Sequence, residues 1–469
     1  MKKIRQFIGT GLIMLMVISP VCMTAQFNKL YDFNDISGSE PYGSLILDQD
    51  ASTLYGLTYN RGANGHGTIF KFELYPKSGF TKLRDFATLT GADPRGSLLK
   101  VGSTLFGMTS TGGAHSSGTI FKILTDGSNF TTIFDFTLST TGGTPFGSLI
   151  ISGDKLYGMA YDGGPGNLGV IFSIDTTGNN YTVLHGFSGD EGKGPYGEVT
   201  LDGSTLYGMT KYGGNDNFGV IFKIQTNGNG YTKMFDFDWT NTGGYPDGSL
   251  TLYDNYLYGM AAQGGAHSVG VIFRISTSGA GFTKLLDFKS TTTGEYPWGN
   301  LIVYDNMLHG MVDGNGTVNY GSIFRIGLDG SSYEQVYEFT DPLNGSQPRG
   351  THVLIPFLNG VMYYGMMQTG GTNDMGVIFS YQNTEIGISP VTGQKPISIY
   401  PNPAKDLLKV SSFENIRSIR IIDLPGKEVF QDNPGLKEII IPVENLKSGV
   451  YFLRIELSDQ TLIRKFIKE

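Results

Sequence analysis

Residues 145–172 read PFGSLIISGDKLYGMAYDGGPGNLGVIF, and this pattern recurs seven times along the chain. Three markers set its register. A Pro-x-Gly triplet begins at Pro41, Pro94, Pro145, Pro195, Pro246, Pro297 and Pro348. An aromatic-Gly pair, with histidine replacing the aromatic in the sixth copy, ends at Gly56, Gly107, Gly158, Gly208, Gly259, Gly310 and Gly365. An Ile-Phe pair ends at Phe70, Phe121, Phe172, Phe222, Phe273, Phe324 and Phe379. Successive copies lie 50 to 55 residues apart, and the step from the pair's glycine to the glycine opening the Ile-Phe run is 11 in every copy. Seven matches without slippage make the repeat the first fact about the fold.

Each copy reads as four short strands. In the third, strand A spans 147–152, B 155–160, C 169–175 and D 181–187. Gly153-Asp154 turns A into B, and Gly163-Gly164 opens the B–C loop, where glycine tolerates positive φ. Val170-Ile171-Phe172 is a continuous apolar run, as in a strand covered on both faces. Four strands per repeat predict a seven-bladed β-propeller; a β-solenoid, with roughly 20–30 residues per coil, suits the unit poorly. The phase sharpens this. Residues 27–33 (FNKLYDF) match strand D of the next copy (FTKLRDF, 80–86), with no A, B or C before them, and the last copy stops after strand C. The N-terminal strand is therefore expected to complete the last blade and close the ring, removing the open edges of a sheet stack.

Composition sets the compartment. The chain has 469 residues and a formal charge of −8; residues 26–394 hold 19 basic and 32 acidic groups, which argues against a nucleic-acid footprint. Residues 1–25 have a basic start and an apolar core and read as a secretory signal peptide. The single cysteine, Cys22, lies within it, so the mature chain is expected to carry no disulfide, thiolate metal site or cysteine nucleophile. No later apolar stretch is long enough for a transmembrane helix. Residues 26–381 are the propeller, 382–394 a polar linker, and 395–469 a more highly charged segment with six strand-like stretches, expected to be a small β-sandwich.

Within that last segment stand Tyr400-Pro401-Asn402-Pro403, Gly426-Lys427-Glu428-Val429, Leu446-Lys447-Ser448-Gly449-Val450-Tyr451 and a basic end at Lys465 and Lys468. Their order resembles the type A C-terminal sorting domain of the type IX secretion system. The resemblance implies type IX machinery as partner, export across both membranes of a Gram-negative cell, and release or attachment at the outer surface. A carbohydrate-binding or Ig-like sandwich is the alternative. The repeats, through motifs such as Tyr207-Gly208-Met209 to Phe222, resemble the GloVer "choice-of-anchor" tandem repeats, which implies an extracellular location and no established activity.

Function is expected where copies differ. The middle residue of Pro-x-Gly varies freely, as Tyr42, Arg95, Phe146, Tyr196, Asp247, Trp298 and Arg349, and falls where strand A begins, near the mouth of the central channel. Aromatic faces stack on sugar rings or peptide side chains, and arginine grips carboxylates. These seven are candidate ligand-binding residues; the bland alternative is that they only pack between blades. Asp32, Asp85, Asp135, Asp236, Asp287 and Glu338 end strand D, but each belongs to a different blade, so they read as structural. His185-Gly186 replaces that pattern in the third copy. His115 and His267 share a loop position and read as covering glycine backbone, and Asp313, Asn315 and Asn319 only half resemble a calcium loop. No catalytic residue, cofactor or metal site is assigned. The sequence favours a noncatalytic surface module binding glycan or protein, with a secreted carbohydrate-active hydrolase or lyase, using channel acids such as Asp247, as the alternative.

Overall fold

A computed structural model describes residues 26–48, 52–74, 79–314, 320–357, 360–383, 397–400, 404–423, 427–458 and 461–468. The expected leader, most of the linker, Pro401–Pro403, Gly426, Asn315 and Asn319 lie outside these residues. The chain divides into two compact units, the repeats and the C-terminal segment.

The repeats form seven antiparallel sheets of order A-B-C-D, and in the fourth an extra short strand, Lys193–Pro195, also pairs with strand B. Gln26–Asp32 pairs with the last C strand, Val377–Asn383, with Phe27 opposite Tyr381 and Asp32 opposite Val377. The N-terminal strand thus supplies strand D of the seventh blade, whose A and B strands come from the chain's last repeat. Its register shifts between Lys29 and Tyr31. A shift at the matching point occurs in the other six C–D pairs, for instance between Ile171 and Phe172. The orphan strand therefore carries the same bulge as its six counterparts, as a repeat-encoded device would.

Two of the sequence markers are halves of one lock. Gly158 of strand B faces Phe172 of strand C, and a Cβ on Gly158 would lie 2.7 Å from the phenylalanine ring. The ring therefore lies across the glycine, fully buried. It meets Phe136 of the preceding blade edge-on at 5.4 Å and Tyr181 stacked at 5.3 Å. Each hydrophobic cluster consequently joins two neighbouring blades, as Phe106, Phe136, Leu149 and Phe172 do. Each such buried side chain contributes about 1.5–3 kcal/mol.

Strand A is shorter than its sequence suggests. In the third blade the ladder covers only Ile150–Ser152, and Gly147 to Leu149 stand outside it. Their backbone is committed to neighbouring blades instead: a Cβ on Gly147 would lie 2.0 Å from the Gly197 carbonyl oxygen. The backbone N–H groups of Ser44 and Ser97 donate to the hydroxyls of Ser97 and Ser148, at 2.8 and 2.9 Å. Those of Glu198, Ser249 and Asn300 donate to the side chains of Ser249, Asn300 and Thr351. Thr351 N–H then donates to the Ser44 hydroxyl at 2.8 Å, which returns the circle to the first blade. A girdle of close glycine backbones and side-chain hydroxyls thus lines the channel.

In the C-terminal unit a three-stranded sheet (Ile397–Tyr400, Leu407–Ile416, Leu436–Pro442) and a four-stranded sheet enclose a core including Val410, Ile421, Ile441, Leu453 and Phe466. One strand of the second sheet, Glu428–Asp432, has no counterpart in the sequence reading. It is an edge strand that is mostly exposed, so it lacks the apolar alternation that marks the others.

Candidate functional site

Five of the six strand-D carboxylates are loop anchors. Asp85, Asp135, Asp236 and Asp287 each accept, through Oδ1, the backbone N–H of the residue after the B–C loop glycine (Gly62, Gly113, Gly214 and Gly265): Ala63, Ala114, Asn215 and Ala266, at 2.7–3.0 Å. Asp32 does the same for Thr372 at 2.9 Å, across the ring closure. The third blade explains itself in these terms. Its residue after Gly164 is Pro165, which has no N–H, and Gly186 occupies the place of the aspartate, with its Cβ position 3.4 Å from the proline ring. Removing the donor made the acceptor redundant. His185, the residue before Gly186, stacks on Tyr231 at 3.8 Å, as Phe134 stacks on Tyr181 at 4.2 Å one blade earlier. His115 and His267 are exposed.

All seven variable residues of the Pro-x-Gly triplets line one cavity of about 290 Å³ at the channel mouth, above the girdle. A second variable column meets them, which the sequence reading missed. It stands three residues past the aromatic-Gly pair: Tyr59, Ser110, Tyr161, Lys211, Ala262, Asp313 and Gln368. The B–C loops pair with the D–A connections through bridges such as Gly143–Asp162 and Gly244–Gln263, which brings this column to the triplets. Its signal was available: a fixed repeat position that changes residue type in nearly every copy.

The two columns interlock. Lys211 Nζ lies 2.8 Å from Asp247 Oδ1 and over the faces of Tyr196 and Trp298, at 5.0 and 5.5 Å. Asp247 is 4% exposed and its Oδ2 has no hydrogen-bond partner. Burial lifts the Asp247 pKa to about 6 against the pull of Lys211, whose own pKa burial lowers but Asp247 raises further. Asp313, the residue weighed above as a calcium ligand, instead accepts from Trp298 Nε1 at 3.1 Å and pairs with Arg349 at 3.2 Å. Arg349 also donates to Gln368, which donates to Tyr42 Oη at 2.7 Å.

Arg95 is different. Its guanidinium lies over Tyr42, Tyr59 and Phe146 at 5.0, 4.8 and 4.7 Å. Its polar contacts are long ones to the phenols of Tyr59 and Tyr196, 3.4 and 3.5 Å, and its Nε has no partner. Burial works against its charge, but the phenol oxygens outweigh it and hold the pKa above the ordinary value. Among the described residues no carboxylate lies within ion-pair distance of it.

Glu198 marks the floor. It stands where the other copies have Ser, Thr or Asn, and it lines the channel cavity, half-buried. Burial raises its pKa to about 7, against a hydrogen bond from Ser148. Among the described residues no group of three or more His, Cys, Asp or Glu is placed to hold a metal ion.

Comparison with known families agrees with this architecture. The model of the Gloeobacter/Verrucomicrobia repeat matches residues 14–164, 147–297 and 240–389. The chain belongs to that repeat family. Residues 398–469 match the secretion system C-terminal sorting domain, which marks the protein for type IX export and for secretion or surface attachment. Among the described residues no helix is long and apolar enough to cross a membrane. No curated protein matches. Among solved structures, the chain is similar to the extracellular domain of a protein described as a hybrid two component system from B. thetaiotaomicron. That match has 13% identity and a TM-score of 0.50, over 95% of this chain and 59% of the other. It is also similar to PorZ, a surface component of the type-IX secretion system of Porphyromonas gingivalis, at 13% identity and a TM-score of 0.33, over 89% and 68%. The chain spans less than two thirds of the first of these, and the likeness there is one of fold.

Proposed function

We propose that this protein is a noncatalytic binding module, a propeller displayed or released outside the cell, whose channel mouth takes a glycan or protein ligand. In this reading residues 1–25 are a removable leader, 26–381 the propeller, 382–394 a linker, and 395–469 the segment recognised by the type IX machinery. The observation that carries the reading is the contrast within one cavity: the seven varying residues of the Pro-x-Gly triplets and Lys211 line it, while the glycines and buried phenylalanines repeated in every blade build the scaffold. Aromatic faces and charged groups on such a wall suit sugars or peptide side chains. Glycan and peptide arrays probed with the mature chain test this. A bound ligand should be lost when Tyr196 and Trp298 are both replaced by alanine; unchanged binding would remove the mouth as the site.

A second reading has its own support. Glu198 and Asp247 both line the cavity with pKa values raised to about 7 and about 6, the range in which a carboxyl can act as general acid at neutral pH. A glycoside hydrolase or lyase would release reducing ends or unsaturated sugars from a polysaccharide panel, and Glu198→Gln would abolish that release.

A further inference from the structure

We infer that the ligand of the channel mouth is a sugar bearing a carboxylate, a uronic or sialic acid residue, whose carboxylate is received by Arg95. The inference rests on the proposal that the mouth binds a ligand, and specifies its chemistry.

Three cations line this cavity, and two are occupied. Lys211 is paired with Asp247, and Arg349 is held by Asp313 and Gln368. Arg95 alone has no carboxylate among the described residues. Three aromatic rings support its charge from their faces, and two phenols touch it at distances where hydrogen bonds are weak. A guanidinium offers five donors in a planar fork that fits a carboxylate. A half-buried guanidinium with most of its donors unused is costly unless an anion from outside completes it. The repeat itself makes the comparison: Arg95 and Arg349 hold the same position in two blades, and only one of them is satisfied from within.

The remaining chemistry is that of a polyol. Below Arg95 the floor is the hydroxyl girdle. The oxygen of Ser97 already accepts a backbone N–H group, so its proton is free to donate, whereas that of Ser148 goes to Glu198. Phe146, Tyr196 and Trp298 present aromatic walls to the same space. A six-membered sugar acid combines an apolar ring face, several hydroxyls and one carboxylate within a rigid unit of suitable size. An acidic peptide has the carboxylate but lacks the rigid ring with hydroxyls that suits the aromatic walls and the hydroxyl floor.

Isothermal titration calorimetry on the mature chain tests the inference. The probes are oligomers of galacturonate, glucuronate and mannuronate, together with sialyllactose, the methyl ester of each acid, and a Glu-rich hexapeptide. At least one acid should bind and its ester should bind at least about tenfold more weakly, as loss of a charge-assisted fork predicts. Arg95→Gln should weaken the acid by a similar factor and leave the ester unchanged, whereas Arg95→Lys should fall between. The ester comparison uses the unmutated chain, so it stands even where a variant folds poorly. Equal binding of acid and ester, an unaffected Arg95→Gln, tighter binding of the peptide, or no binding of any acid would each overturn the inference. If a neutral glycan or a peptide binds instead and is lost in the Tyr196→Ala/Trp298→Ala double variant, the mouth remains the site and only the acid assignment fails.

Discussion

Phe146 and Gly147 are neighbours in the chain and live under opposite rules. Phe146 faces the cavity, and its counterparts in the other blades include arginine, aspartate and tryptophan. Gly147 has a glycine counterpart in every blade, because the next blade's backbone passes where a side chain would be. One peptide bond separates the region that closes the ring from the region that differs around it. The difference teaches how a repeat can vary its chemistry without risking its fold: closure rests on backbone and buried phenylalanine, and the variable residues are positioned by it.

The scaffold side should break hardest. Phe33 is fully buried at the seam between the N-terminal strand and the first blade, with its ring 5.4 Å from Phe70. Phe33→Ala should cost about 3–5 kcal/mol in urea unfolding, the usual cost of emptying an aromatic site. A loss under about 1 kcal/mol would mean that the orphan strand does not hold the ring shut. Gly147→Ala should cost about 3 kcal/mol, since a backbone carbonyl, not a flexible side chain, must yield. Asp236→Ala should cost less, about 0.5–1.5 kcal/mol, for the lost hydrogen bond to the exposed Asn215 N–H. In the third blade Gly186→Asp should gain nothing, because Pro165 has no proton to offer.

The two regions should also respond oppositely to pH. His309 and His352 are 1% and 2% exposed at the sixth and seventh blades, and neither ring nitrogen of His352 has a partner. Burial depresses their pKa values from 6.5, to about 4 for His309 and about 3 for His352, where the neighbouring His309 adds to the effect. The unfolded chain therefore takes up protons that the folded chain refuses, and stability falls as pH drops below about 6.5. Glu198 works the other way. Its folded pKa of about 7 exceeds the ordinary 4.5, so the folded chain binds the extra proton between those values and gains stability as pH falls through that window. Chemical unfolding at pH 7.5 and pH 5 should show a smaller acid loss in His352→Leu and a larger one in Glu198→Gln. The same slope in both variants would mean that neither group is buried as described.

What could be read in advance follows the same division. The repeat, its phase and the closing strand were legible because glycine and phenylalanine answer each other at fixed spacing within one blade. Strand A was read too long, since the residues at its inner end are satisfied by the next blade, and single-strand patterns do not record that. The Pro-x-Gly column was legible as a row of differences. The column of Lys211, Asp313 and Gln368 was equally legible as a row of differences, but its pairing with the triplets was not, because the partners lie in other columns and often other blades. Glu198 was legible in principle, as the one acid in a column of Ser, Thr and Asn. Likewise Pro165 and Gly186 form a matched pair of exceptions whose meaning needed the hydrogen bond they lack.

The smallest effect on stability is the most informative about the mouth. Arg95 contributes three cation–π contacts, each worth about 0.5–1 kcal/mol or more, and against them stands the cost of holding a charge away from water with Nε unpaired. These terms are of similar size and opposite sign. Arg95→Leu, which keeps the bulk against Tyr42, Tyr59 and Phe146, should therefore leave the unfolding free energy within about 1 kcal/mol of the parent, on either side. A residue that adds nothing to the fold is free to serve a ligand. A loss of more than about 2 kcal/mol would instead make Arg95 part of the scaffold, and the distinction between Phe146 and Gly147 would no longer extend to its neighbour in the cavity.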